Sequence, residues 1–298
     1  MSLRLLLPPE GVADLLATWP DQPRVYERGR TQVDEAMSLD YFNELVDTGC
    51  APPDEIAVIK AGPSNRTAFL TNGRTDAAKL SRLRDQGHSI RFGNMQRWLP
   101  AFQRISQGLQ RETGYSNYMH AFLTPGGGQG LLHHWDQQMA VIVQVAGAKT
   151  WQLWKPPVDS PMREWAESFR VWREDFIPTW EAAGPDLTVE LTAGQTLLLP
   201  RGWVHNPHAL NHRDPSLHLT FAIRERTPLW LAEQLLAEAI EHPEFRRVVP
   251  PAELELPVLA DRLSETRRAL EAFLATLDVT AAAIRVRKAA VTGLEFST

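Results

Sequence analysis

The chain has 298 residues, 43% of them apolar and 22% charged, with a formal net charge of -5, an ordinary balance for a globular protein able to bury a full core. No apolar run approaches the roughly 18 residues of a membrane span, prolines close the opening MSLRLLLPPE before any cleavage site, and the negative balance argues against a broad nucleic-acid surface. The single cysteine, Cys50, excludes an internal disulfide and fits a reducing, cytoplasmic setting.

In chain order, GVADLLATW reads as a short helix, RVYERG as a strand, and residues 39–49 as an amphipathic helix ended by Gly49. AVIK (57–60) and TAFLTNG (67–73) read as strands, the second closing in an Asn-Gly turn. A polar helix over 75–86, a strand SIRFGN and a helix carrying Trp98, Phe102, Ile105 and Leu109 complete this flanking segment. From Ser116 the texture changes to strands: SNYMHAFLT, a glycine loop, LLHHWD, MAVIVQVAG, KTWQLW, LTVEL, QTLLLP and SLHLTFAIRE. Short strands cut by Gly, Pro and Asp turns point to a sandwich or barrel rather than βαβ repeats. MAVIVQVAG, apolar almost throughout, reads as a strand covered on both faces. Residues 159–186 interrupt the series as an inserted helix or loop beside the barrel mouth.

After Arg226 the pattern is helical. Thr227 caps a helix with Pro228 at its first position. A later helix carries the seam Leu259, Leu263, Thr266, Leu270, Phe273 and Leu277, which asks for another helix, within a small bundle or across a subunit interface. The basic tail residues Arg285, Arg287 and Lys288 read as a solvated face. The fold class is therefore mainly β with flanking helices (α+β), followed by a C-terminal helical segment.

The chemistry concentrates in the strands. His134 and Asp136 are separated by one residue, so an extended backbone puts both on one face and turns His133 away. His205 follows LLLPRGWV. Two histidines and one carboxylate, two of them as His-X-Asp, form the ligand set of the facial triad that holds non-haem iron(II). Such a triad leaves coordination positions open for a chelating cosubstrate and dioxygen. His208 and His212 read as surface loop residues, and His218 as an inward histidine hydrogen-bonded to its neighbours. Lys149 shares a face with Trp151 and Leu153, where an ammonium needs an anion or a path to water. Trp135 and Trp203 are candidate pocket walls, with core packing the commoner role.

The stretch YMHAFLTPGGGQGLLHHWDQQMAVIVQVAGAKTWQLW, with LLLPRGWVHNP and SLHLTFAI after it, resembles the core of JmjC-type cupin oxygenases, most of all their ribosomal-oxygenase branch. The resemblance covers about residues 20–225. It implies a double-stranded β-helix (cupin or jelly roll) within a catalytic domain over 1–226. Residues 227–298 are then similar in kind to that branch's dimerisation region, so a homodimer is expected. It further implies iron(II) on His134, Asp136 and His205, and 2-oxoglutarate as cosubstrate, its distal carboxylate on Lys149 with help from Thr220. The implied reaction is hydroxylation of a protein, peptide or amino-acid substrate. Three positions depart from the family pattern. His120 stands for asparagine and remains a candidate cosubstrate contact. Phe122 stands for tyrosine and removes a hydroxyl, and Met139 stands for aspartate and removes a charge near the entrance. The chain also leaves no room for the winged-helix domain of that branch. Two rival readings are a cupin that binds without catalysis and a metal-dependent cupin enzyme that does not use 2-oxoglutarate. The intact triad with Lys149 argues against the first, whose ligands would be free to drift, and Lys149 with Thr220 against the second, which needs no site for a second carboxylate.

Overall fold

Alternation of inward and outward side chains along the middle of the chain resolves into two antiparallel sheets laid face to face. The computed structural model describes residues 1–162, 175–256 and 258–292. Its strands are β1 (Arg24–Glu27), β2 (Ile56–Ile59), β3 (Leu70–Thr71), β4 (Arg74–Thr75), β5 (Ser89–Phe92), β6 (Asn117–Thr124), β7 (His134–Trp135), β8 (Met139–Ala146), β9 (Ala148–Trp154), β10 (Leu187–Thr192), β11 (Gln195–Leu199), β12 (Val204–His208) and β13 (Ser216–Ile223). The larger sheet runs β1-β11-β8-β13-β6-β5-β2 and the smaller β10-β9-β12-β7. From β6 to β13 the chain passes back and forth between the two sheets, as in a jelly roll. The expected double-stranded β-helix is present.

Period-two patterning fixes which residues meet between the sheets. Ile142 from β8, Trp151 and Leu153 from β9, Leu191 from β10, Leu197 from β11 and Trp203 all join one buried core cluster. β8 is buried along nearly its whole length, as its continuous apolar run predicts. Between β8 and β9, Gly147 sits at φ +62°, and a Cβ there would lie 2.2 Å from the Pro215 carbonyl oxygen. Only glycine makes this turn, and the turn sets the register that carries Lys149 inward.

The flanking helices are α1 (Pro9–Thr18), α2 (Gln32–Ala36), α3 (Leu39–Thr48), α4 (Ala77–Asp85), α5 (Pro100–Thr113) and α6 (Phe176–Ala183). Gly49 ends α3 in the left-handed conformation, as expected. Trp98 falls just before α5 instead of within it, because Pro100 starts the helix. The strand read over 67–73 shrinks to β3, whose hairpin with β4 turns on Asn72 and Gly73 with positive φ. Of the interruption at 159–186, residues 163–174 lie outside the described residues.

The chain divides into two compact units, Met1–Thr113 with Asn117–Arg224, and Gly114–Ser116 with Glu225–Thr298. The second holds α7 (Pro228–Ala237), α8 (Val258–Thr276) and α9 (Val279–Thr292). Thr227 caps α7 by accepting from the Trp230 amide at 3.2 Å. Along the α8 seam Phe273 is buried, while Leu263 remains 59% exposed. No helix is long and apolar enough to cross a membrane among the described residues.

Candidate metal centre and its cavity

Two strands of the smaller sheet bring the triad together. β7 pairs with β12 so that His134 faces His205 directly across the ladder, and the two rings lie 4.1 Å apart between centroids. Asp136 follows β7, and its Oδ2 stands 3.8 Å from His205 Nε2. One ligand atom from each of His134, Asp136 and His205 falls within a 4.8 Å span. Backbone carbonyls two residues upstream orient both imidazoles. His134 Nδ1 lies 2.7 Å from the Leu132 oxygen, and His205 Nδ1 lies 2.9 Å from the Trp203 oxygen. A carbonyl only accepts, so each Nδ1 carries the proton and each Nε2 presents its lone pair to the shared space. Burial first, and the neighbouring His134 second, push the His205 pKa down to about 4, which keeps it neutral as ligation requires. The Asp136 carbonyl accepts from the Gly202 amide at 3.0 Å, tying the ligand strand to the turn that precedes His205.

His133 points the other way, as the strand register requires. It is buried against the rings of Trp154 and Trp180. His208 departs from expectation: it ends β12 and is buried, because Pro207 sits inside a paired strand and does not begin a loop. His212 is half-buried, with Nε2 3.2 Å from the Thr150 hydroxyl. His218 faces inward but makes stacking contacts in place of the expected hydrogen bonds. It lies parallel to Phe122 at 5.0 Å and edge-on to Trp151 at 5.4 Å, and its buried Nδ1 has no partner among the described residues.

The triad opens into a cavity of about 260 Å³. Lys149, Thr220 and His120 all line it with the three ligands. Lys149 is 2% exposed and does not reach water. Its Nζ donates to Thr124 Oγ1 at 2.8 Å, and no carboxylate lies within ion-pair distance of it among the described residues. Burial alone pushes its pKa down to about 7. Thr124 also bonds Ser89 Oγ at 3.1 Å. His120 Nδ1 accepts from the Asn94 amide at 3.2 Å, and burial with the nearby Arg91 charge pushes its pKa down to about 4. The ring is neutral, with its proton on Nε2. Trp203 packs in the core and Trp135 does not line the cavity, whereas Trp151 does. Met139 is fully buried at the start of β8, opposite Ile223, so it is a core residue and not an entrance residue.

Sequence reasoning missed Thr124, Ser89 and Arg91. Thr124 was within reach, since it shares the inward face of β6 with His120 and Phe122. Ser89 and Arg91 had no local signal, because only the pairing of β5 with β6 brings them in.

Residues 91–229 match the family model described as a JmjC domain. The chain carries a JmjC-like domain over these residues. Among similar proteins, the bifunctional lysine-specific demethylase and histidyl-hydroxylase NO66 of Culex quinquefasciatus is 32% identical over 173 residues, 56% of this chain and 26% of that protein. Ribosomal oxygenase 2 of Mus musculus is 27% identical over 209 residues, 68% of this chain and 43% of that protein. The chain thus spans less than half the length of these relatives. Among solved structures, the Escherichia coli ribosomal oxygenase YcfD in complex with cobalt and 2-oxoglutarate superposes with a TM-score of 0.51 at 16% identity, covering 89% of this chain and 67% of that one. That likeness supports the JmjC fold.

Proposed function

We propose that this chain is an iron(II)- and 2-oxoglutarate-dependent oxygenase that hydroxylates a protein, peptide or amino-acid substrate. The observation that carries the reading is the pairing of the triad with a buried, anion-less lysine in one cavity. His134, Asp136 and His205 fit a divalent metal on two counts. Both imidazoles present Nε2 by hydrogen bonding, and the carboxylate cancels one of the metal's two charges. The far end of the cavity fits a carboxylate. Lys149 only donates, and Thr124 and Ser89 share one bond. Whichever hydroxyl donates in that bond, one hydroxyl proton is left for an anion beside the ammonium. The orphaned Trp151 Nε1 and His218 Nδ1 on the same walls mark space that a polar ligand fills. When bound, the metal and cosubstrate supply an oxidation in which one atom of dioxygen enters the substrate as hydroxyl and the other leaves in succinate, with loss of carbon dioxide.

The chain's own residues bind, orient and exclude water. Lys149 with its hydroxyl partner fixes the distal carboxylate of the cosubstrate and so its angle at the metal. Thr220 stands on the neighbouring strand of the same cavity as a further hydroxyl. The Phe122–His218 stack supplies an apolar part of the cavity lining that the lysine and the triad share. A non-catalytic cupin, or one that uses no 2-oxoglutarate, leaves the Lys149 charge buried without compensation. The relatives named as histidyl-hydroxylase and ribosomal oxygenase support a protein substrate. We also assign residues 227–298 to a homodimer interface, since Leu231, Leu263 and Ile284 of this unit are 46%, 59% and 71% exposed in the single chain. The lone free Cys50 supports a reducing, cytoplasmic compartment.

The decisive test incubates the protein with iron(II), 2-oxoglutarate and a peptide library, scoring succinate formation and a one-oxygen mass gain. A protein that neither binds metal nor consumes 2-oxoglutarate refutes the reading.

A further inference from the structure

β5 places Ser89 and Arg91 on one face of the cavity wall, two residues apart, or about 7 Å along the strand. Ser89 belongs to the lysine end. Arg91 stands opposite Phe122 in the ladder and lines the same cavity as His120 and the metal triad. Despite this position Arg91 makes no hydrogen bond and no ion pair among the described residues, and its Nε is buried without a partner. Glu55 is the carboxylate that attracts it, but Glu55 is engaged elsewhere. It accepts from Asn94 Nδ2 at 2.9 Å and stands 4.0 Å from Arg97 Nη1. Arg66 adds a second positive charge nearby.

Charge balance gives this orphan a meaning. Asp136 is the one carboxylate among the described lining residues, against the cations Lys149 and Arg91. A divalent metal and a dianionic cosubstrate cancel each other, and Lys149 offsets Asp136. One positive charge is left over, on a guanidinium that shares the cavity of the reacting centre and is removed from most water. Leaving such a charge uncompensated is costly, and a planar fork of donors matches a carboxylate with two parallel bonds. Beside it His120 is neutral with Nδ1 already engaged, so it too offers the cavity a donor and no acceptor.

We propose that Arg91 is a specificity-determining residue, and that the group hydroxylated here belongs to a substrate bearing a carboxylate, which Arg91 holds while a neighbouring C–H bond faces the metal. This rests on the oxygenase reading above. The carboxylate has two possible sources, an acidic side chain in a peptide or a free acidic amino acid.

The test loads the full chain with manganese(II) in place of iron(II), adds 2-oxoglutarate, and measures probe binding by calorimetry. The probes are the N-acetyl methylamides of aspartate, glutamate, asparagine and glutamine, and free aspartate and glutamate. The wild type is expected to bind the acidic probes at least about tenfold tighter than the amides, the scale of a charge-assisted pair. Arg91→Gln and Arg91→Met erase that preference and Arg91→Lys keeps part of it, while 2-oxoglutarate affinity stays within about threefold, which also shows that the variants fold. Binding of the capped acids identifies a peptide side chain, and binding of the free acids alone identifies a small amino acid; either supports the proposal. Equal binding of acid and amide by the wild type overturns it, as does a preference that survives Arg91→Gln. A tenfold loss of 2-oxoglutarate affinity in Arg91→Gln also overturns it, by placing Arg91 on the cosubstrate. A wild type that takes up no 2-oxoglutarate with metal refutes the oxygenase reading and this inference with it. One that takes up 2-oxoglutarate without discriminating refutes this inference alone.

Discussion

Lys149→Met is expected to destroy cosubstrate binding and yet stabilise the protein. The lysine is buried, hydrogen-bonded to one hydroxyl and paired with no carboxylate among the described residues, and its pKa falls from 10.5 to about 7. The unfolded chain therefore holds a proton that the folded chain releases between about pH 7 and pH 10.5. Stability rises with pH wherever the unfolded state binds more protons. The penalty is full below about pH 7, fades as pH rises, and is gone above 10.5. At 1.36 kcal/mol per unit, the native state bears on the order of 4 kcal/mol at pH 7 and about half of that at pH 9. Methionine fills a similar volume without charge. Replacing buried ionic groups by apolar ones typically gains about 1–4 kcal/mol, so the variant should be more stable by about that much at pH 7. Urea unfolding at pH 6, 7, 8 and 9 measures it, in the absence of metal and cosubstrate. The gain should be nearly level from pH 6 to 7 and shrink from there to pH 9, while 2-oxoglutarate affinity falls about a hundredfold or more. A variant no more stable than wild type, with an unchanged slope of stability against pH, would refute the claim that Lys149 is a desolvated cation awaiting its anion.

Three further outcomes are expected. His134→Ala and His205→Ala should abolish metal uptake, measured by manganese(II) titration, with the fold retained; His133→Ala should bind metal normally, and the reverse pattern would invert the strand register of β7. Thr124→Val removes the acceptor of Lys149 and should weaken 2-oxoglutarate by about tenfold, with Ser89→Ala milder; 2-oxopentanoate, which lacks the distal carboxylate, should be indifferent to both, and an equal loss for the two acids would make the effect structural. Wild type should sediment as a dimer and Leu270→Asp as a monomer or an aggregate, because an unpaired carboxylate is disfavoured in a dry seam; a wild type that is monomeric at micromolar concentration would mean the seam packs within the chain.

The jelly roll was legible because its signals are local. Apolar runs of strand length, interrupted by Gly, Pro and Asp, suffice to recover β6, β8, β9, β10, β11 and β13. Gly49 and Thr227 marked helix ends by chemistry that needs no tertiary partner. Failures came where a residue type argued one way and pairing the other. Proline in VHNPH argued for a loop, yet β12 is paired on both sides and carries His208 into the interior. Met139 was placed at the entrance by the family resemblance, but β8 begins there, and burial on both faces takes the side chain inside.

The site divides along the same line. His134, Asp136 and Lys149 follow from period two on single strands, so sequence alone places them on their faces. The identity of the lysine's partner does not follow, because it depends on which strand lies across the cavity. The structure gives Thr124 that contact and, among the described residues, hydrogen-bonds no side chain to Thr220. The substitution of Phe122 for tyrosine then has a local reason. Its ring lies parallel to His218, which meets Trp151 edge-on, and the three rings line the same cavity as Lys149 and the triad. A tyrosine hydroxyl on that ring would need a hydrogen-bond partner, while Thr124 and Ser89, on the same side of the cavity, already place a hydroxyl beside the ammonium. In this chain position 122 serves packing, and the hydroxyl beside the ammonium comes from Thr124, two residues further along the same face of β6.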